Sequence, residues 1–256
     1  MQTQIDDYIR TIVLQHTPVI SYNVQSRLDA LDPHILAWAN GHKYKLKLTG
    51  SVAKGTAITG TSDIDIFISL NPSVGIYNTL DQVYMTLRNR LNEAGYIARE
   101  QNVSLGINHA GLKIDIVPGV QHHLLGSDHS IWKRKAKTWT KTNVDAHIKY
   151  VSESGRTFDI KSVKIWRKLR ELDFPSFYLE LSVIESLKGQ SILGNSPSQN
   201  FMTIMQYLAT DFLSKAVKDP ANQANEISDE LTIEEKEKIR DAAKATMQGQ
   251  WNQALW

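Results

Sequence analysis

The chain has 256 residues, of which 41% are apolar and 22% charged, and carries a formal charge of +2 at neutral pH. That is the make-up of an ordinary globular protein, long enough for one large domain or two lobes, with no charge bias that names a partner. There is no cysteine, which excludes disulfides and thiolate-held zinc or iron–sulfur centres, and no apolar run approaches the roughly 18 residues that cross a bilayer.

Ile5, Ile9, Ile12 and Val13 recur at helical spacing and predict a helix over residues 4–15. The early acidic residues, with no basic stretch leading into an apolar core, argue against a signal peptide, and with the missing cysteines they fit a reducing, cytoplasmic setting. A second helix is expected over 24–31, broken and restarted at the "DPH" of Asp32–His34. "KYKLKL" (43–48) alternates with period two, Tyr44, Leu46 and Leu48 on one face and lysines on the other, and predicts a strand. A Gly-rich turn with one turn of helix follows, and then "DIDIFISL" (63–70) as a second strand. Leu80, Val83, Leu87 and Leu91 mark a helix that Gly95 closes. "VSLGINHAGLKIDIVPG" reads as two strands about a turn near 108–111, the second ending at Pro118-Gly119.

Beyond residue 125 the texture becomes basic and rich in tryptophan, then helical in "DIKSVKIWRKLREL", "SFYLELSVIESLKG", "NFMTIMQYLATDFLSKAV" and the final stretch from Leu231. The expected architecture is α+β: a mixed sheet flanked by helices over residues 1–125, a helical lobe over 126–256, and a cleft between them. Trp251 and Trp256 are expected to anchor the last helix.

The chemistry lies in the carboxylates. Asp63 and Asp65 share one face of their strand, and like charges so placed disfavour each other's ionised form. A third, Asp115, lies in the strand-like "LKIDIVPG". Three such groups on one sheet edge repel strongly unless a cation sits among them. Hard oxygen ligands suit Mg²⁺ or Mn²⁺, and two such ions about 3.5–4 Å apart clamp an in-line displacement at phosphorus. Gly50 and Ser51, directly after the first strand, complement them: glycine lets backbone N–H groups approach a polyphosphate, and the serine adds a hydroxyl.

This combination resembles the DNA polymerase β-like nucleotidyltransferase superfamily, whose pattern of Gly-Ser, spacer, paired acidic residues and a later acidic residue is filled by Gly50, Ser51, Asp63, Asp65 and Asp115. "GSVAKGTAITGTSDIDIFI" looks most like the oligoadenylate synthase and bacterial cyclic-oligonucleotide synthase branch; archaeal-type CCA-adding enzymes carry a similar stretch. "VKIWRKL" resembles the family helix that brings a lysine, here Lys164, to the triphosphate. "SFYLELSVIE" resembles the next helix, where Ser176 adds a phosphate contact and Glu180 is structural. "KDPANQANEIS" resembles the Asp-Pro segment near the end of oligoadenylate synthases. The missing zinc module and the compact length set this chain apart from the animal cyclic GMP–AMP synthases and from the CCA-adding enzymes.

The resemblance implies a two-metal, template-independent nucleotidyltransferase that consumes nucleoside triphosphates, releases pyrophosphate and makes a cyclic or short linear oligonucleotide messenger, in bacterial antiphage signalling. The competing readings are an RNA 3′-end nucleotidyltransferase, nucleotide transfer to a small molecule or protein, and a silent nucleotide-binding protein. RNA is a partner only in the first of these, no membrane is implied, and no regulatory partner is legible. Lys54 and Thr56 are further candidates for the phosphate loop. The basic tract Lys133, Arg134, Lys135, Lys137, Lys141 and Lys149 with Trp132 and Trp139 reads as a solvated helical face with inward tryptophans, ahead of a nucleic-acid surface. His122-His123 reads as exposed loop rather than metal site, and Asn143 resembles a family position near the nucleotide.

Overall fold

The computed structural model describes residues 2–18, 23–60, 63–72, 79–109, 111–192 and 196–249. The calls on Trp251 and Trp256 fall outside them. The chain forms two compact units, one from residues 1–18, 54–61 and 149–256, the other from 19–53 and 62–148. This differs from a division at residue 125, because residues 126–148 extend the sheet and the first helix packs with the C-terminal ones.

The sheet unit contains helix α2 (Asn23–Ala39), strand β1 (Tyr44–Leu48), the short helix α3 (Gly50–Ala53), β2 (Ile64–Leu70) and α4 (Leu80–Glu93). Strands β3 (Arg99–Glu100), β4 (Leu105–His109), β5 (Leu112–Gln121), β6 (His129–Lys133) and β7 (Thr138–Thr142) follow, and α5 (Val144–Ser152) leads out. The main strand order is β1-β2-β5-β4-β3, with β6 joining β5 and β7 joining β6. Only β2 and β5 run parallel among the described pairs; the others are antiparallel. Ile64, Ile66, Ile68 and Leu70 of β2 turn one way into a core with Leu31, Ile35, Val83, Leu87 and Leu91 of α2 and α4. The alternation therefore sends Asp65, Phe67 and Ser69 to the opposite face.

Three local expectations change. Helix α2 runs through Pro33 without a break. Leu31, Ile35 and Trp38 keep helical spacing across the proline and are all buried, so packing overrides the lost hydrogen bond. Strand β5 continues past Pro118 to Gln121. β4 pairs with β5 up to Ile116 and β6 takes over at Gly119, so Pro118 falls in the gap on that edge, where a missing N–H is tolerated. The basic tract from Lys133 to Lys141 is a β-hairpin, not a helical face, with Lys149 alone on α5: Trp132 of β6 stands opposite Trp139 of β7. Trp132 packs against the core, whereas Trp139 is 58% exposed.

The helical unit contains α1 (Gln2–Gln15), α6 (Thr157–Leu169), α7 (Ser176–Ser186), α8 (Pro197–Thr210) and α9 (Ile233–Gln248), with a two-stranded hairpin of β8 (Lys218–Asp219) and β9 (Asn222–Glu226). Ile9, Ile12 and Val13 of α1 join its core, as the helical spacing predicts. Phe174, Tyr178 and Phe212 meet there at ring separations of 5.1–5.4 Å, a favourable range for aromatic contacts. Ser196 with Gln199, and Thr232 with Glu235, form capping boxes that fix the starts of α8 and α9. The hairpin is the "KDPANQANEIS" segment, and Asp219 organises its turn by accepting the Ala221 N–H at 2.8 Å.

Gly119 packs tightly beneath Phe67 of β2 and Ile131 of β6. A Cβ there would stand 2.4 Å from Phe67 Cζ and 3.1 Å from Ile131 Cγ2. Gly119→Ala is expected to destabilise the protein by about 1–3 kcal/mol through overpacking, read by denaturant or thermal unfolding.

Candidate active site

Asp65 lies on the first turn of β2 and Asp115 on the parallel strand β5, directly opposite each other in register. In-register residues of neighbouring strands point to the same side, so both carboxylates leave the same face of the sheet. Asp63 sits just before β2 and adds its charge to that of Asp115. Burial, then the Asp63 charge, pushes the Asp115 carboxyl above its ordinary range, against opposition from Gln101, Arg99 and Lys113.

Gly50 faces Asp65. The end of β1 is tied to β2 where the Thr49 N–H donates to the Asp65 carbonyl at 2.8 Å. Gly50 then takes a positive φ of 61°, and a Cβ built on it would fall 1.7 Å from Asp65 Oδ2. Both the backbone conformation and the space exclude a side chain here. Ser51 follows within α3, half-buried.

Asp115 is steadied from the other flank, where Gln101 Nε2 donates to Oδ1 at 2.8 Å. A Cβ at Gly106 would come within 3.0 Å of that oxygen and 2.8 Å of the Gln101 amide. Gln101 and Gly106 escape a sequence reading, because neither belongs to a motif; only the strand pairing of Gly106 with Asp115 reveals them. Asp65 thus lies against Gly50, and Asp115 against Gln101. Among the described residues no three His, Cys, Asp or Glu side chains meet as a ready-made metal group. Backbone register sets Asp65 opposite Asp115. The set still suits a hard cation: oxygen donors only, with the Asp115 carboxyl raised by burial and then by the Asp63 charge.

The other residues expected to contact phosphate lie in the helical unit, where each side chain has partners within the protein. Lys164 is 2% exposed; its ammonium donates to Glu180 Oε1 at 2.7 Å, to Thr56 Oγ1 at 3.0 Å and to the Thr56 carbonyl at 3.3 Å. Lys54 pairs with Glu180 Oε2 at 2.9 Å and lies 4.3 Å over the Phe177 ring. The Thr56 hydroxyl, fully buried, donates to Glu180 Oε1 at 2.7 Å. Lys54, Thr56 and Lys164 are therefore bound to one carboxylate inside the protein, with the lysine donors directed there rather than outward. Glu180, expected to be structural, is the centre of the cluster. Burial alone would raise its carboxyl, but the two lysines and the hydroxyl hold it down to about 2. Ser176 is exposed at the start of α7, its hydroxyl accepting from Arg167 at 3.0 Å.

Asn143 caps α5: its Oδ1 accepts the Ala146 N–H at 3.0 Å and its amide donates to Asp128 at 2.8 Å. His122 bonds Ser130 at 2.7 Å while His123 is exposed, so the two do not act as a pair. No helix among the described residues is long and apolar enough to cross a membrane.

A mixed sheet that sets a Gly-Ser turn against an in-register pair of aspartates defines a nucleotide-transferring enzyme. The chain belongs to the nucleotidyltransferase domain family, whose sequence model matches residues 34–176, more than half of its length. It is similar to the cyclic AMP-AMP-AMP synthase of Escherichia coli strain MS 115-1, at 21% identity over 205 residues, covering 72% of this chain. It spans 64% of that relative's length. Its fold is that of the CD-NTases. CdnG of Bradyrhizobium diazoefficiens, solved with GTP, superposes with a TM-score of 0.75 at 12% identity, covering 95% of this chain and 91% of that one. CdnC of Escherichia coli MS115-1, solved with ATP, gives 0.73 at 18% identity, covering 92% and 88%.

Removing the buried counter-charge tests the cluster. Glu180→Gln leaves two buried ammonium groups facing each other and is expected to cost about 3–5 kcal/mol of stability, read by chemical denaturation. Because Glu180 is held below its ordinary 4.5, its contribution is complete above that value and is lost as the pH falls toward about 2. Glu180→Gln should accordingly flatten the acid limb of the stability–pH curve.

Proposed function

We propose that the protein is a metal-dependent, template-independent nucleotidyltransferase that joins nucleoside triphosphates into a cyclic or short linear oligonucleotide, with release of pyrophosphate, as a bacterial antiphage signal. The observation that carries this reading is the in-register placement of Asp65 and Asp115 beside Asp63, with Gly50 against the Asp65 carboxylate. The likeness in fold to CD-NTases solved with ATP and GTP supports it, as does the sequence likeness to a cyclic trinucleotide synthase.

Asp63, Asp65 and Asp115 would hold Mg²⁺ or Mn²⁺, two ions in the full site. When bound, such ions neutralise the phosphate charge and lower the pKa of an attacking hydroxyl. The chain's own residues do the positioning. Gly50 and Ser51 offer backbone N–H groups and a hydroxyl to the β- and γ-phosphates, and Gly50 admits the phosphate chain because no side chain intervenes. Gln101 holds the Asp115 carboxylate on the open face, where it would accept toward the acceptor hydroxyl. Lys54, Thr56 and Lys164 brace the segment that follows the Gly-Ser turn.

The test is incubation with all four nucleoside triphosphates and Mg²⁺ or Mn²⁺, with and without RNA, and mass spectrometry of the products. Cyclic or short oligonucleotides formed without RNA bear the reading out; label that enters only RNA overturns it. Asp115→Asn is expected to abolish product yet raise the melting temperature of the metal-free protein at neutral pH. The sign follows from the raised Asp115 pKa: its ionised form costs stability once the pH passes that value, and the neutral amide does not ionise. An unchanged product yield in Asp115→Asn would remove Asp115 from the site.

A further inference from the structure

The face of β2 that carries Asp65 near one end carries Ser69 near the other, about 13 Å away at strand spacing. At the Ser69 end lies a cavity of about 400 Å³, lined by Lys43, Lys45, Asn71, Gln121, Leu124 and Leu125 among others. Its size falls within the roughly 300–1,000 Å³ typical of small-ligand sites. Lys47, which also borders it, is neutralised by Asp145 at 2.7 Å. Neither Lys43 nor Lys45 has an ion pair among the described residues, and the nearby Asp128 is engaged by Lys141 at 2.7 Å. The cavity therefore gathers uncompensated positive charge.

Its other wall is apolar. Leu124 and Leu125 are 66% and 102% exposed, two large hydrophobic side chains presented to water at the cavity rim. Lysines on an edge strand can serve simply to discourage strand pairing. That role explains neither a formed cavity nor the adjacent leucines. Two ammonium groups and an apolar rim match an anionic head joined to a flat, weakly polar body. Lysine is a point-charge binder of phosphate.

We propose that this cavity is a second site, separate from the carboxylates, for a phosphorylated ligand of mononucleotide size, the phosphate on Lys43 and Lys45 and the base against Leu124 and Leu125. A site on the same sheet face as the reacting groups would let a nucleoside monophosphate or a reaction product bias the enzyme without competing for the metals.

The probe is AMP, titrated calorimetrically into the full chain carrying Asp63→Asn and Asp65→Asn in the presence of a chelator, so that metal-held nucleotide does not contribute. Saturable AMP binding is expected, weakened by about tenfold or more with Lys43→Ala and Lys45→Ala and much weaker for uncharged adenosine. Lysine acetylation of the unmutated chain, mapped by mass spectrometry, provides a readout independent of variant folding: AMP should protect Lys43 and Lys45 and leave Lys137 unprotected. The proposal is overturned if AMP does not bind, if the lysine variants leave its affinity unchanged, or if adenosine binds as tightly as AMP. It is equally overturned if a short single-stranded RNA protects these lysines and AMP does not.

Discussion

The site rests on one close approach: the Asp65 carboxylate lies where a side chain on Gly50 would be. Strand β1 must end, hydrogen-bond back to the Asp65 carbonyl through Thr49, and turn through a positive φ at once. Only glycine satisfies both the turn and the space. The apolar alternation of β2, buried on its isoleucine side against α2 and α4, fixes which way Asp65 points. A slip of one residue would turn the aspartate into the core against α2 and α4, so core burial sets the register of the chemistry.

The parallel pairing of β2 with β5 brings Asp115 opposite Asp65, while burial and then the Asp63 charge raise the Asp115 carboxyl against the opposing pull of Gln101, Arg99 and Lys113. Gln101 and Gly106 hold Asp115 out on the open face while its pKa rises. A fold selected for stability alone would place a neutral residue there. Perturbed carboxyls on an accessible face are more often functional than structural. The helical unit treats charge in the opposite way: Glu180 gathers Lys54, Lys164 and Thr56 into a fully paired, dehydrated cluster.

Much of this was legible in the sequence. The strands around Asp65 and Asp115, the turn at Gly50, the helix stripe of Leu80 to Leu91 and the α+β class follow from local periodicity and a spaced motif. What escaped depends on partners distant in the chain. Pro118 and Pro33 look like breaks until their neighbours are known, and "IWKRKAKTWTK" has no period that separates a charged helix from a hairpin. Lys164 illustrates the limit most clearly. A basic residue in a helix motif reads as a phosphate ligand, but 2% exposure and a carboxylate at 2.7 Å come only from the fold. Gln101 carries no signal at all without the β4–β5 pairing.

The most direct measurement is pyrophosphate release from nucleoside triphosphate by Gly50→Ala, with circular dichroism to confirm that the fold is retained. An added methyl displaces the Asp65 carboxylate by an ångström or more, and displacement on that scale costs on the order of a hundredfold in rate. The account expects a loss of that size with secondary structure intact. Release within a few-fold of the unmodified enzyme, by a folded variant, would contradict the claim that the Gly50–Asp65 approach builds the active site.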